Sequence, residues 1–316
     1  MDIKKKKRLM TAGIILCAAV FVFSGVILAR EYIDQKRRAE AFERVASLVE
    51  TDGENGSAAN DSEQDANKAA AYNKYSKVYA QNNDFIGWIT VPDTRINYPV
   101  MQSKNNPNFY LYHDFEKAYS KFGVPFMQEN CDVATSDNLI MYGHHMYNGS
   151  MFTDLCKYID EDFYRDHKYI RFDTMEGFGE YEIIAAFKTV AYSDDGFRYD
   201  RFVRAERKED FDEYVAKCKK LSFYDTGVTA KYGDKLITLS TCEFSRQNGR
   251  MVVVAKKVND RLETITAATI TSSAPPACRL IAITTTATNR KNGSIPPTLL
   301  TLSPVWPLRS TTAAIT

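Results

Sequence analysis

Through the middle of this chain, apolar residues fall into runs short enough to be strands, separated by turn residues. Phe85-Ile86-Gly87-Trp88-Ile89-Thr90-Val91 is one such run, closed by Pro92-Asp93-Thr94. Ile96 to Met101 is a second, and Pro99 inside it marks an edge. Asn138 to Gly143, Tyr169 to Asp173 and Tyr181 to Ala191 follow as further strands. Met151 to Ile159 reads as a helix. So does Lys208 to Phe223, where Phe211, Tyr214, Val215 and Cys218 share one face. The last two runs, Leu236 to Cys242 and Arg250 to Ala255, are joined by a polar loop holding Asn248-Gly249, the pattern of a β-hairpin. Short strands with a few helical excursions predict a mainly β fold, a barrel.

Upstream the pattern changes. Lys4-Lys5-Lys6-Lys7-Arg8 precedes Leu9 to Ala29, a stretch without a charge. That stretch is long enough to cross a bilayer as a helix and longer than a signal-peptide core. With no small-x-small cleavage site before Arg30, it reads as an uncleaved anchor. Basic residues follow it too, diluted by acidic ones, and the undiluted N-terminal cluster predicts the N-terminus inside and the rest of the chain outside. Glu31 to Glu50 reads as a stalk helix and Thr51 to Ala66 as a flexible linker. Ala69 to Gln81 is helical, with Tyr72, Tyr75 and Tyr79 forming a packing face. The predicted organisation is a basic cytoplasmic tail (1–8), a transmembrane anchor (9–29), a helical stalk and linker (30–83), a compact β domain (84–259) and a Thr/Ala/Pro-rich tail (260–316). From Ala267 onward the tail has no acidic residue and no sustained period, and reads as disordered or non-native.

Composition narrows the function classes. The net charge is +1, and Lys and Arg are spread along the chain beyond its first residues, so no nucleic-acid partner is expected. The 19 Tyr and 18 Phe suit a β-rich core. The cysteines at 17, 131, 156, 218, 242 and 278 form no CxxC pair and no Cys/His zinc spacing, so neither metal nor cofactor is expected. Cys131, Cys156 and Cys218 read as small buried hydrophobes.

Only Cys242 sits in a context that argues for reactivity. In a hairpin the last residue of one strand neighbours the first of the next, so Cys242 and Arg250 should meet across the turn. A guanidinium there favours the thiolate and can donate to an oxyanion forming on a carbonyl that the sulfur attacks. Arg246 competes for that role from the loop, but strand pairing fixes Arg250 better. Ser240, Thr241 and Glu243 flank the thiol and are the candidate substrate-binding residues, although Glu243 also reads as an exposed loop residue whose charge opposes Arg250. The pair needs a base. His144 ends a strand beside Gly143, which would let another backbone approach, while His145 points to the opposite side. Ser150 or its neighbour would cap the helix that follows. His113 and His167 read as surface residues.

Thr238-Leu239-Ser240-Thr241-Cys242, with Arg250 following, resembles the signature of the sortases, membrane-anchored cysteine transpeptidases of Gram-positive bacteria. Arg250-Met251-Val252-Val253-Val254-Ala255-Lys256 is most similar to class B, as is Tyr142-Gly143-His144 followed by Asn148-Gly149-Ser150-Met151-Phe152. The resemblance implies a sortase-like β-barrel preceded by helices, with His144, Cys242 and Arg250 as the catalytic residues. It also implies a substrate and an acceptor. The chain would cleave a C-terminal sorting signal of secreted proteins, NPQTN-like or PxTG-like, after Thr, and join the Thr to lipid II or a peptidoglycan cross-bridge amine. Two other classes compete. A papain-like peptidase has its Cys before its His, and that Cys opens a helix. A metal-binding surface module would use His144 and His145 with His113.

Overall fold

A computed structural model describes residues 3–49, 63–191 and 196–258. Most of the expected linker and the whole expected tail at 260–316 lie outside the described residues. Eight strands form a closed barrel: β1 (Phe85–Thr90), β2 (Asn97–Met101), β3 (Phe126–Met127), β4 (Asn138–Tyr142), β5 (Tyr169–Thr174), β6 (Glu180–Val190), β7 (Leu236–Glu243) and β8 (Gly249–Lys257). Around the barrel the order is β1-β2-β3-β4-β7-β8-β6-β5. Among the described residues four α-helices accompany them: α1 (Ile3–Ser47), α2 (Glu63–Gln81), α3 (Glu161–Asp166) and α4 (Lys208–Leu221).

The ladders explain the hydrophobic pattern. β8 lies between β6 and β7, and Met251 to Ala255 are wholly buried. A 3-10 helix at Thr153–Ile159 packs over β7 and β8, and α4 packs over β6. Covering a strand on both faces produces a continuous apolar run rather than alternation. α4 buries Phe211, Tyr214, Val215 and Cys218, the face that its periodicity predicts. The pairing of β4 with β7 is parallel, from Asn138↔Leu236 to Tyr142↔Ser240. Both strands therefore end at the same pole of the barrel.

Several local readings change. Leu9–Ala29 and the stalk form one continuous helix, α1, rather than two segments. Its far end packs on the barrel through Phe42, whose ring lies 5.2 Å from that of Tyr98, and through buried Val45. α2 starts at Glu63, inside the stretch expected to be linker. Its packing face is Ala71, Tyr75 and Val78, whereas Tyr72 and Tyr79 are exposed. Tyr75 tolerates burial because its hydroxyl donates to the buried Asp173 carboxylate at 2.7 Å. Pro99 sits inside a closed barrel, yet β2 pairs with β3 only at Met101↔Phe126, so along most of β2 one side is edge-like. Met151–Ile159 is a 3-10 helix from Thr153, capped by no side chain, and Ser150 contributes only its carbonyl, which accepts from the Thr153 N–H and hydroxyl. A separate α3 follows, capped by Asp160.

Candidate active site

The hairpin places Cys242 directly opposite Arg250. Its turn works because Asn248 takes the left-handed conformation (φ 54°) and Gly249 comes so near the carbonyl of Glu243 that a Cβ would sit 2.4 Å from it. Cys242 and Arg250 are both half-buried and share a cleft of about 320 Å3 with Leu111, Tyr142, His144 and Tyr199. An Arg250 Nη1 donates to the Gly249 carbonyl at 3.0 Å, which braces the guanidinium against its own strand. Arg246 is exposed in the loop and does not line the cleft.

His144 reaches this cleft through the parallel pairing. Beyond Tyr142↔Ser240, the Gly143 N–H donates to the Ser240 carbonyl at 3.1 Å, and the Thr241 hydroxyl donates to the Gly143 carbonyl at 2.8 Å. These two bonds carry the strand pair one step past β4, so His144 stands next to the cysteine end of β7. The Gly143 side that was expected to admit a backbone admits a side chain: a Cβ there would meet the buried Phe152 ring at 2.6 Å. His144 Nε2 lies 2.8 Å from the Leu111 carbonyl. A carbonyl only accepts, so Nε2 carries the proton in that contact and Nδ1 takes no part in it.

His145 faces the other way. Its Nδ1 donates to the carbonyl of Cys242 at 3.0 Å, and Cys156 Sγ lies 3.4 Å from the same nitrogen. Its ring packs on Phe244 at 4.8 Å, and Phe244 stacks on Tyr147. The two adjacent histidines thus clasp the end of β7 from opposite sides, which does not fit a shared metal. His113 and His167 are half-buried rather than surface residues. Each turns its Nδ1 onto a carbonyl four residues back and stacks on a phenylalanine ring there, Phe109 and Phe163.

The hydroxyls beside the thiol have internal partners. Ser240 shares a hydrogen bond with the Tyr199 hydroxyl at 2.6 Å, and Thr241 holds Gly143, so both shape the cleft wall they line. Glu243 does not line the cleft among the described residues and is not a loop residue. It ends β7, 9% exposed, and is bound by Lys188 at 2.9 Å and by the Ser245 hydroxyl and N–H. Burial pushes its carboxyl up, but these partners outweigh burial and hold it below the usual glutamate range. Its charge is thereby matched by Lys188 instead of opposing Arg250. Burial pushes the thiols of Cys131 and Cys156 up to about 11 and that of Cys218 to about 12, so all three stay protonated at neutral pH. Leu111, Tyr199 and Lys188 escaped the sequence reading. Leu111 acts through its backbone, and the other two come from segments remote in sequence, so no local signal marks them.

A family model described as the Sortase domain matches residues 89–258. The chain is 37% identical to Sortase B of Listeria monocytogenes over 182 residues, covering 56% of this chain and 71% of that protein. It is 29% identical to Sortase B of Staphylococcus aureus over 257 residues, 80% of this chain and 98% of the other. Among solved structures, a Staphylococcus aureus sortase B–substrate complex superposes with a TM-score of 0.60 at 28% identity, covering 72% of this chain and 99% of that one. A sortase B complexed with triglycine gives 0.59 at 28% identity, over 71% and 99%.

Proposed function

Because the chain belongs to class B of the sortase family and is a cysteine transpeptidase, we propose that it works from the outer face of the membrane. There it cuts C-terminal sorting signals from secreted proteins and joins them to a cell-wall precursor amine. The observation that carries this reading is the convergence of Cys242, His144 and Arg250 on one cleft at the shared end of β4 and β7.

The reaction follows from these positions. The Cys242 thiolate attacks the carbonyl carbon of the signal's Thr, and the electron pair moves to the oxygen. Arg250 faces that oxyanion, and a donor so placed contributes about 10²–10³ in rate. As the C–N bond breaks, protonated His144 gives its Nδ1 proton to the leaving amine, while its Nε2–H stays on Leu111. The Leu111 carbonyl thus fixes the ring's orientation. A thioester remains on Cys242. An incoming amine gives its proton to neutral His144, attacks the thioester and releases the thiolate, forming the new amide.

The substrate classes come from the family. NPQTN-like or PxTG-like peptides are the proposed donors, in line with the substrate complex of the staphylococcal relative. A glycine amine on lipid II or a peptidoglycan cross-bridge is the proposed acceptor, in line with the relative bound to triglycine. The anchor is supported by Leu9–Ala29 inside a helix whose most apolar window reaches a mean hydropathy of 2.6 and has none of its residues buried. The test is intact-protein mass spectrometry of the full chain in detergent with Pro-x-Thr peptides. A peptide adduct on Cys242 that triglycine discharges as a ligated product supports the proposal. Peptide turnover that survives Cys242→Ala overturns it.

A further inference from the structure

The connection between β2 and β3, residues 102–125, touches both the cleft and α1. Its Leu111 holds His144, and Pro107 and Asn108 line the cleft. Further along, Lys121 forms an ion pair with Glu31 of α1, and Glu116 pairs with Arg44 at 3.4 Å. Glu31 and Arg44 lie roughly 20 Å apart along one helix. Two ties at two heights lay the connection alongside α1 instead of touching it at one point. From Glu116 to Lys121 it runs toward the apolar end of that helix.

The direction of α1 relative to the barrel follows from the same contacts. Phe42 packs on Tyr98, in the middle of β2. β2 then runs to Met101, which pairs with Phe126, which pairs with Tyr142 at the cleft pole. Ser120, next to Lys121, donates its N–H to the Tyr112 carbonyl at 2.8 Å beside His144, so passing back along α1 from Phe42 to Glu31 leads from the barrel wall toward its cleft end. Glu31 stands two residues past Ala29, about 3 Å of rise. The headgroup layer is roughly 5–7 Å deep on each side of the hydrocarbon.

We infer that the cleft end of the barrel faces the bilayer, and that the connection meets the headgroups of the outer leaflet at its Tyr119–Lys121 end. The inference rests on the anchor reading above. The side chains at this tip are those of a membrane interface. Tyr119 is 77% exposed and Tyr112 49% exposed, and Lys121 adds a basic group beside them. The acidic residues nearby are engaged within the fold: Glu116, though exposed, pairs with Arg44, and Asp114 accepts the Ala118 N–H at 2.9 Å. The Tyr112 ring also stands 6.1 Å from that of His144, so the lipid-facing tip and the catalytic base belong to one wall. Donor peptide and acceptor amine would then meet the cleft close to the membrane plane rather than out in the wall.

Photocrosslinking tests this in the full chain, reconstituted in phosphatidylglycerol–phosphatidylethanolamine vesicles. p-Benzoylphenylalanine replaces Tyr119 in one variant. In another it replaces Tyr232, an exposed residue just before β7 and so at the opposite pole. Lipid adducts at position 119 at least five-fold above those at 232 are expected. Alkaline extraction of the same vesicles reports the anchor separately. A chain that resists extraction yet gives equal or no adducts at 119 overturns the orientation and leaves the anchor standing. A chain that extracts freely overturns the anchor, and the orientation with it.

Discussion

Replacing Gly143 by alanine tests whether close packing behind β4 is what sets His144 against Cys242. The new Cβ would sit 2.6, 2.8 and 3.0 Å from three carbons of the Phe152 ring. Ordinary carbon contacts lie at about 3.5–4.0 Å, so ring or strand must yield by about 0.5–1 Å. Phe152 is wholly buried and packed in the main core, so the ring has little room and the strand takes part of the shift. Overpacking of this kind costs about 1–3 kcal/mol. At roughly 2–4 °C per kcal/mol for a domain of this size, Tm should fall by about 2–12 °C. The strand that moves also bonds to Ser240 and Thr241, so His144 shifts relative to the thiol. A 1 Å misplacement can cost about 10²-fold, and kcat/KM for transpeptidation is expected to drop about 10- to 100-fold. Phe152→Leu in the Gly143→Ala background should return more than half of both losses, since the two sites share one volume. The assay is thermal unfolding together with ligation of a fluorescent Pro-x-Thr peptide to triglycine. Wild-type Tm and rate in Gly143→Ala would refute the reasoning. So would a double variant no better than the single.

Arg250→Ala should lower the acylation rate by about 10²–10³ with Tm within about 2 °C, and Arg250→Lys should fall between, because a point charge replaces a planar fork; single-turnover acylation measures both. His145→Phe removes one hydrogen bond to the Cys242 carbonyl, about 0.5–1.5 kcal/mol. Activity should decline without being abolished in a peptide-ligation assay, and complete loss with an unchanged Tm would make His145 rather than His144 the base. The Glu243 carboxyl has its folded pKa below the unfolded value of about 4.3. Its contribution to stability is present above that value and is lost as pH falls through the folded pKa. Glu243→Gln should therefore flatten the loss of stability as pH falls below about 4.3 in urea titrations, and an unchanged slope would exclude the Ser245 and Lys188 contacts as its cause.

What the residues disclosed depended on how far the relevant contact lies along the chain. The Cys242–Arg250 pairing was readable because a hairpin is local and Asn248-Gly249 announces its turn. α4 was readable because one face of it alone is apolar. The parallel union of β4 and β7 was not, since nothing in either strand names its partner, and β3 is too short to carry a pattern. Tyr72 and Tyr79 misled because helical spacing brings them near Tyr75, while the docking surface accepts only Ala71, Tyr75 and Val78. Glu243 and Gly143 misled for a related reason: their partners, Lys188 and Phe152, come from other elements, and burial by such partners leaves no mark on neighbouring residues. The proposed catalytic residues could be named from sequence and family resemblance, but the contacts that orient them could not.

The parallel union of β4 with β7 also sets an order in time. A ribosome delivers His144 long before Cys242, and a parallel pair closed by distant segments forms late. Until the β7–β8 hairpin docks on β4, the thiol has its guanidinium but not its proposed base at hand. A copy whose barrel has not closed therefore carries an incomplete site, unable to turn a passing peptide into a thioester. Counting acylated molecules counts those whose barrel has closed, so active-site titration doubles as a census of the folded state.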